Sequence, residues 1–332
     1  MGGEGILAFA CVTTHLVEEA RRRHAAAPTA AAALGRALTA SSLLSATLEG
    51  PQKVTLRILG DGPLGGIVTE STAGGDVRGY AQNPTVHLPL SSRRKLDVGT
   101  AVGRGTLHVT KDLGLRWPYH GSAPLVSGEI AEDLAYYLAQ SEQVPSVVSL
   151  GVLVEPDGRV SAAGGFIIQV MPGVDPSVRD YLEAHVQELP PVTQLVRQGL
   201  SSADLARAAL GQLGARILEE RPVRYRCTCS KERVESVLTL LGAEEVRALL
   251  VDGQAQVRCR FCGQVYVLDR QALQEPLRQH RHRLPGGAGV EEDRNQIAVA
   301  ERRRSAQKQP LPWPLIRRKL FDRQMPHHPQ AR

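Results

Sequence analysis

Residues 147–170 read VVSLGVLVEPDGRVSAAGGFIIQV, a pattern typical of a long β-hairpin. The segments 147–154 and 160–170 are rich in β-branched and aliphatic residues, which favour strands. Between them, Pro156-Asp157-Gly158 has the composition of a tight turn. Two strands joined by so short a connection pair antiparallel. The stretch therefore predicts a hairpin of an antiparallel sheet.

The residues before this hairpin alternate between strand and helix patterns. Strands are predicted over 6–12, 53–58, 65–68, 76–81 and 101–110, and helices over 14–24, 29–48 and 128–140. Pro28 suits the first turn of the second helix, where its missing N–H costs nothing. We therefore predict that residues 1–173 form one α+β domain, in which helices pack on a curved antiparallel sheet.

Residues 174–222 follow a different pattern. Asp175-Pro176 begins a helical stretch that Pro190-Pro191 interrupts. A second short helix ends at Gly199, and Ser201 begins a third with a capping-box pattern. Helices of this length are marginal on their own. We predict a metastable helical linker whose stability comes from packing against its neighbours.

The composition limits the class of protein. The chain has 332 residues, of which 42% are hydrophobic, and this suits two packed domains. Its apolar runs fall short of the ~20 residues that cross a bilayer, and the start of the chain lacks the basic flank of a signal peptide. We therefore expect a soluble cytoplasmic protein.

The net charge of +6 comes from one segment. Residues 281–332 hold 12 Lys and Arg against 5 Asp and Glu, so residues 1–280 are close to neutral. The segment is also rich in Pro and His, which predicts a basic, disordered tail. Because basic tails can bind nucleic acid, an RNA- or ribosome-binding protein stays open as an alternative.

Four of the five cysteines form two close pairs that predict a metal site. Cys227 and Cys229 are separated from Cys259 and Cys262 by 29 residues. Four thiolates complete the closed tetrahedral site of a structural or switching Zn²⁺, which has no open position for water and so argues against hydrolysis. We expect residues 223–280 to form a small zinc-binding domain that needs its metal in order to fold.

Basic residues surround these cysteines in the sequence. They are Arg224, Arg226, Lys231, Arg258 and Arg260. Nearby cations lower the pKa of a thiol and keep the sulfur nucleophilic. The same residues can equally be exposed strand positions that keep a small domain soluble, and both interpretations stay open.

The cysteine spacing resembles that of the heat shock protein 33 family of redox-regulated chaperones. Residues 141–146 (SEQVPS) and 163–173 (AGGFIIQVMPG) are similar to blocks of that family, and the resemblance covers about residues 5–280. It implies that one Zn²⁺ per reduced chain is bound by Cys227, Cys229, Cys259 and Cys262. It also implies an ATP-independent holdase that is inactive while reduced and zinc-bound. Oxidation of the four cysteines then releases zinc, unfolds the linker and activates the chaperone.

Further expectations follow from this resemblance. Oxidation is expected to join near neighbours, Cys227 with Cys229 and Cys259 with Cys262, because short separations favour these pairings once the metal has left. Unfolded client proteins are expected to bind aliphatic side chains of the linker, namely Leu182, Val186, Leu189, Leu195, Val196, Leu200 and Leu205. The active form is expected to be a homodimer. Neither a membrane nor a specific nucleic acid is an expected partner.

The sequence carries no strong signature of an enzyme. Its glycine-rich turns lack the Lys-Ser/Thr ending of a phosphate loop, and a Gly-x-Ser-x-Gly elbow is missing. A thiol oxidoreductase using Cys259 and Cys262 is a weaker alternative, since the βαβ context of such motifs is missing. Cys11 stands alone in an apolar strand pattern and is expected to be a buried packing residue.

Overall fold

The computed structural model describes residues 5–92, 94–238, 254–271 and 274. Its first elements are β1 (Ile6–Val12), α1 (Thr14–His24), α2 (Pro28–Leu44), β2 (Lys53–Gly60), β3 (Gly66–Thr72), β4 (Asp76–Ala81), α3 (Val98–Val102), β5 (Gly105–Asp112), β6 (Tyr119–Pro124), α4 (Ala131–Gln140), β7 (Ser146–Val154) and β8 (Val160–Val170). The later elements are α5 (Pro176–Glu188), α6 (Val192–Arg197), α7 (Ser202–Leu210), β9 (Arg224–Tyr225), α8 (Lys231–Leu238), β10 (Gln254–Arg258) and β11 (Val265–Asp269).

The α+β class is confirmed, and the described strands form more than one sheet. A three-stranded sheet has the order β1-β8-β7, and a six-stranded sheet has the order β6-β5-β2-β3-β4-β9. Strands β10 and β11 form a separate hairpin. The predicted hairpin of residues 147–170 is confirmed as β7 and β8, which pair antiparallel. The antiparallel sheet expected in the first domain is thus divided in two.

Helix α2 packs against both large sheets. It is rich in alanine, and its residues are buried almost all round, as expected for a helix in the interior of a domain. It contacts β3 and β4 of the six-stranded sheet and β7 and β8 of the other. A Cβ atom at Gly35 would lie 2.5 Å from Val17 Cγ1 and 2.9 Å from Val152 Cγ2. The small side chains therefore allow the two sheets to approach one helix.

The sequence predicts a strand over 101–110, and this is wrong for its first residues. Residues Val98–Val102 form helix α3. The side chain of Asp97 accepts a hydrogen bond from the amide of Thr100 at 3.1 Å, which caps the helical turn. Gly103, at φ +77°, ends the helix before β5 begins. The cap at Asp97 favours a helical turn more strongly than the apolar pattern of these residues favours a strand.

Helix α4, expected from residue 128, begins at Ala131. The carboxylate of Asp133 is buried and accepts hydrogen bonds from the amides of the preceding loop, which are those of Val126, Ser127, Gly128 and Ile130. These hydrogen bonds hold residues 126–130 in a non-helical conformation, so the helix begins at Ala131. Helix α2 also ends earlier than expected, at Leu44, and continues as a 3₁₀ turn over Ser45–Thr47.

The three helices of the linker, residues 174–222, cover the second face of the three-stranded sheet. Phe166 and Ile168 of β8 pack there against apolar side chains of α5, α6 and α7. A Cβ atom at Gly151 of β7 would lie 2.8 Å from Thr193 Cγ2 of α6, so this glycine allows close contact. Strand β8 is consequently buried on both faces, by α2 on one side and by the linker on the other.

The side chains expected to bind clients are covered in this structure. Leu182, Leu195 and Leu205 are buried. The other members of the set are half-buried, and these are Val186, Leu189, Val196 and Leu200. A surface formed by these residues is therefore available to another protein only after the linker leaves the sheet.

Removing a buried side chain of the linker should loosen it from the sheet. Leu182 has no exposed area, and we expect Leu182→Ala to destabilise the docked linker by about 2–5 kcal/mol through lost contacts and a residual cavity. Hydrogen exchange of amides in α5–α7 measures the change. Leu218→Ala is the matched control, because Leu218 is 71% exposed. Equal protection of the linker in both variants would contradict this account.

Candidate metal centre

The first cysteine pair follows β9 directly. The β9 residues Arg224 and Tyr225 pair parallel with Asp76 and Val77 of β4, which positions the following Cys227-Thr228-Cys229 beside the six-stranded sheet. Helix α8 then begins, with the Ser230 hydroxyl accepting from the amide of Arg233 at 3.3 Å and so capping the helix. The sequence pattern also predicts a helix over 243–251, and this segment lies outside the described residues. We call residues 223–238 and 254–271 the cysteine module.

The second cysteine pair lies in the bend of the β10–β11 hairpin, residues 259–263, which we call the knuckle. The amide of Cys259 donates to the carbonyl of Gln264, and the amide of Gly263 donates to the carbonyl of Cys259, both at 2.9 Å. Gly263 has φ +73°, a conformation that favours glycine. This tight turn places the sulfurs of Cys259 and Cys262 on the same side.

The four sulfur atoms meet in one cluster. They all lie within 4.8 Å of one another, with 3.8 Å between Cys227 Sγ and Cys259 Sγ and 3.4 Å between Cys229 Sγ and Cys262 Sγ. A tetrahedral Zn²⁺ with bonds of ~2.3 Å needs sulfurs about 3.8 Å apart. The donor set and its spacing therefore fit one Zn²⁺, and these residues are the ones that the spacing in the sequence singled out.

The environment of the cluster lowers the pKa of one thiol and raises others. Burial raises the pKa of Cys227, but hydrogen bonds from Cys229 and Arg78 outweigh it and bring the pKa to about 7. Burial raises the pKa of Cys259 and of Cys262. A metal cation that replaces the thiol protons removes this cost, because it binds the thiolate form.

Two hydrogen-bond donors contact the sulfurs, and the sequence gives little sign of either. Arg78 Nη1 lies 3.7 Å from Cys227 Sγ, and Arg78 also forms an ion pair with Glu70 at 2.7 Å. The hydroxyl of Tyr266 donates to Cys229 Sγ at 3.0 Å. Arg78 belongs to β4, 149 residues before Cys227, and only the fold brings the two together.

Three of the basic residues near the cysteines pair with carboxylates. Arg224 and Arg226 lie 2.6 and 3.4 Å from the carboxylate of Asp76, with more than half of each side chain exposed. Lys231 lies 3.8 Å from Glu235. For these residues the structure favours the solubility interpretation, and the guanidinium that contacts a sulfur is that of Arg78.

The knuckle packs against the first part of the chain through Phe261. Its ring lies edge-on to Tyr80, with centroids 5.3 Å apart, and the Arg78 guanidinium lies 4.4 Å from its centroid. Its carbonyl accepts a hydrogen bond from His24, whose Nε2 is 3.2 Å away, and it also contacts the Tyr225 hydroxyl. Burial keeps the pKa of His24 below its usual range, which favours the neutral ring. The metal ligands are thus attached to a packed interface.

Cys11 is separate from this cluster. It lies in β1, is 7% exposed, and its thiol pKa is raised to about 12 by burial. A thiol with so high a pKa is almost entirely protonated and is unreactive at neutral pH. The prediction of a buried packing residue is therefore confirmed.

Comparisons with known proteins agree with the fold and the cluster. The family model described as "Hsp33 protein" matches residues 1–269. The 33 kDa chaperonin of Desulforamulus reducens is 48% identical over 272 residues, which make up 82% of this chain and 92% of that protein. The 33 kDa chaperonin of Bacillus subtilis is 46% identical over 271 residues, 81% of this chain and 93% of the relative.

A solved structure shows the same fold. The crystal structure of the 33 kDa chaperonin of Thermotoga maritima matches with a TM-score of 0.80 and 37% identity, covering 85% of this chain and 97% of the other. These findings define a molecular chaperone, which is not an enzyme. The chain belongs to the Hsp33 family. Among the described helices, none has the length and apolar character needed to cross a membrane.

We expect metal analysis to find one Zn²⁺ per reduced chain and to find that Cys227→Ser has lost most of it. A serine hydroxyl does not supply the thiolate that completes the site. Cys11→Ser is the control that removes a cysteine without touching the cluster, and it should keep the full amount. Full zinc retention by Cys227→Ser would remove this residue from the site.

Proposed function

We propose that this protein is a redox-regulated, ATP-independent holdase with Zn²⁺ bound by Cys227, Cys229, Cys259 and Cys262 in the reduced form. One observation carries the proposal: the thiols of two distant chain segments lie within 4.8 Å of one another. A cluster of thiolates holds a metal while reduced and loses it when the sulfurs are oxidised. Oxidation and reduction of the site can therefore control whether the metal holds the two chain segments together.

The metal is proposed to be the main support of the cysteine module. Among the described residues of the module, the buried ones are Ala255, Cys262 and Leu268. So small an apolar core contributes little stability. Zinc in small structural sites contributes roughly 10–16 kcal/mol to folding. Loss of the metal should therefore unfold residues 223–280, the domain proposed from the sequence.

Hydrogen peroxide can oxidise the reduced cluster to two disulfides. Four thiolates give up four electrons and form two disulfide bonds, and two hydrogen peroxide molecules accept these electrons with four protons and become four water molecules. The sulfurs no longer carry the negative charge that binds Zn²⁺, so the ion is released. Reduction by cellular thiols reverses the step.

The linker is proposed to unfold together with the module. Their connection is anchored by Arg221, whose Nη1 donates to the carbonyls of Leu48 at 2.9 Å and Ala73 at 3.1 Å. Unfolding of the module removes the support on one side of this anchor. The linker helices are short and depend on packing against β8, so they can leave the sheet and expose both their own aliphatic side chains and Phe166 and Ile168. Contiguous apolar surface of this kind binds unfolding proteins.

We further propose that the protein is cytoplasmic and that its oxidised form binds unfolding proteins. Thiols that hold a metal need a reducing compartment, which supports the cytoplasm. The family resemblance supports a homodimer as the oxidised form and unfolding proteins as its partners. The pairing of Arg224 and Arg226 with Asp76 weakens the alternative of an RNA- or ribosome-binding protein. The basic tail 281–332 lies outside the described residues.

Oxidation is expected to produce the disulfides Cys227–Cys229 and Cys259–Cys262. All the sulfurs are within 4.8 Å in the reduced cluster, so each of the three pairings is within reach, and short separation in the chain favours near neighbours once the module unfolds. Digestion and mass spectrometry of the peroxide-treated protein identify the bridges. A dominant Cys229–Cys262 bridge, between sulfurs that lie 3.4 Å apart in the reduced cluster, would contradict this pairing.

Peroxide treatment is expected to switch on suppression of aggregation. Light scattering of a thermally unfolding client, with reduced and oxidised chaperone at equal concentration, measures the effect. The reduced protein should have little activity, because the linker covers the sheet. Cys11→Ser should switch like the unchanged protein. Equal activity of the reduced and oxidised forms would reject redox control.

Hydrogen exchange locates the switch within the chain. Protection is expected to collapse over 174–280 on oxidation and to persist in β7 and β8, whose core with α2 needs no metal. A linker that stays protected after zinc has left would reject the mechanism, even if the zinc site is correct.

A further inference from the structure

The outer edge of strand β4 is covered by the cysteine module. The carbonyls of Gly75, Val77 and Gly79 all point to this edge. The amide of Arg224 donates to Gly75 at 3.0 Å, and the amide of Arg226 donates to Val77 at 2.9 Å. The third carbonyl, that of Gly79, accepts from the side-chain hydroxyl of Tyr225 at 3.1 Å. The backbone acceptors of an otherwise open sheet edge are thus satisfied by three consecutive residues.

This cover depends on the metal cluster. Strand β9 has two residues, and so short a strand has little stability of its own. The last amide that bonds to β4 is that of Arg226, which follows β9 and directly precedes Cys227. The Tyr225 hydroxyl also contacts the carbonyl of Phe261 in the knuckle. When the cysteine module unfolds, both attachments are lost and the edge of β4 is left open.

The opposite edge of the same sheet is protected in a different way. Strand β6 forms that edge, and it is preceded by Pro118 and ends at Pro124. Proline lacks the N–H that a pairing strand requires, which is a common way to prevent strand addition. Strand β4 contains no proline (DVRGYA). Proline therefore hinders strand addition at one edge of the sheet. At the other edge β9, which can leave, covers β4.

We propose that the uncovered edge of β4 binds extended segments of unfolding client proteins by strand addition. This inference rests on the proposed function, because it requires the oxidised module to unfold. Main-chain hydrogen bonds recognise any extended polypeptide regardless of its side chains. A holdase needs this property, since its clients share no sequence. Asp76 and Arg78 carry opposite charges along the edge, so neither acidic nor basic clients are repelled as a class.

The alternation of the strand makes the test specific. The amides of Val77 and Gly79 share the outer edge with their carbonyls, whereas those of Arg78 and Tyr80 face β3. Hydrogen exchange is followed residue by residue by NMR in the oxidised full chain, with and without reduced, carboxymethylated α-lactalbumin, a polypeptide that stays unfolded. We expect the client to protect the two outer amides by at least about tenfold. The two inner amides should not change.

Two proline variants form a matched pair. Ala81→Pro removes an outward N–H from β4, and Ser122→Pro removes one from the exposed edge β6. In the oxidised chain, Ala81→Pro should weaken client binding about fivefold, as expected for one main-chain hydrogen bond. Ser122→Pro should leave it unchanged. Equal affinity in both variants, with folding verified by the unchanged inner amides, would overturn the proposal.

The remaining outcomes separate this inference from the proposed function. Suppression of aggregation by the oxidised chain without client-dependent protection at Val77 and Gly79 overturns strand addition and leaves the holdase intact. Protection that rises with chaperone concentration in the absence of client assigns the edge to a second copy of this chain, which also overturns it. Loss of aggregation suppression itself rejects the proposed function, and the inference with it.

Discussion

Four sulfur atoms from two distant segments of the chain converge within 4.8 Å. As thiolates they repel one another, and as thiols they offer only weak hydrogen bonds in exchange for the burial of polar atoms. A divalent cation resolves this conflict, because it favours the deprotonated form and draws all four sulfurs to one point. With zinc bound as proposed, the arrangement of the cysteine module, whose described residues include few buried side chains, depends on this single constraint.

The module in turn lies against the edge of the six-stranded sheet. Phe261 packs on Tyr80 and beneath Arg78, and β9 pairs with β4. These contacts involve the outer edge of a sheet whose inner face packs on α2. Removal of the module therefore changes the surface of the first domain without removing its core.

Strand β8 explains why uncovering the first domain produces an apolar surface. Its two faces are both apolar, with Ile167 in the core around α2 and Phe166 and Ile168 beneath the linker. A strand in an antiparallel sheet with one face in water would alternate with polar residues. The uninterrupted apolar run of residues 162–168 therefore indicates that both faces of this strand are buried. The linker covers one of these faces, with helices too short to persist alone.

The sequence by itself determined the β7–β8 hairpin, the three broken helices of the linker and the identity of the four clustered cysteines. These features are local: turn residues, caps and the spacing of like residues act within a few positions. It did not reveal the division into two sheets, the start of α3 at an Asp97 cap or strand β6. The contact of Arg78 with Cys227 and the cover of β4 by β9 join residues about 150 positions apart. Only tertiary packing decides such contacts, because neither residue carries a local signal of its partner.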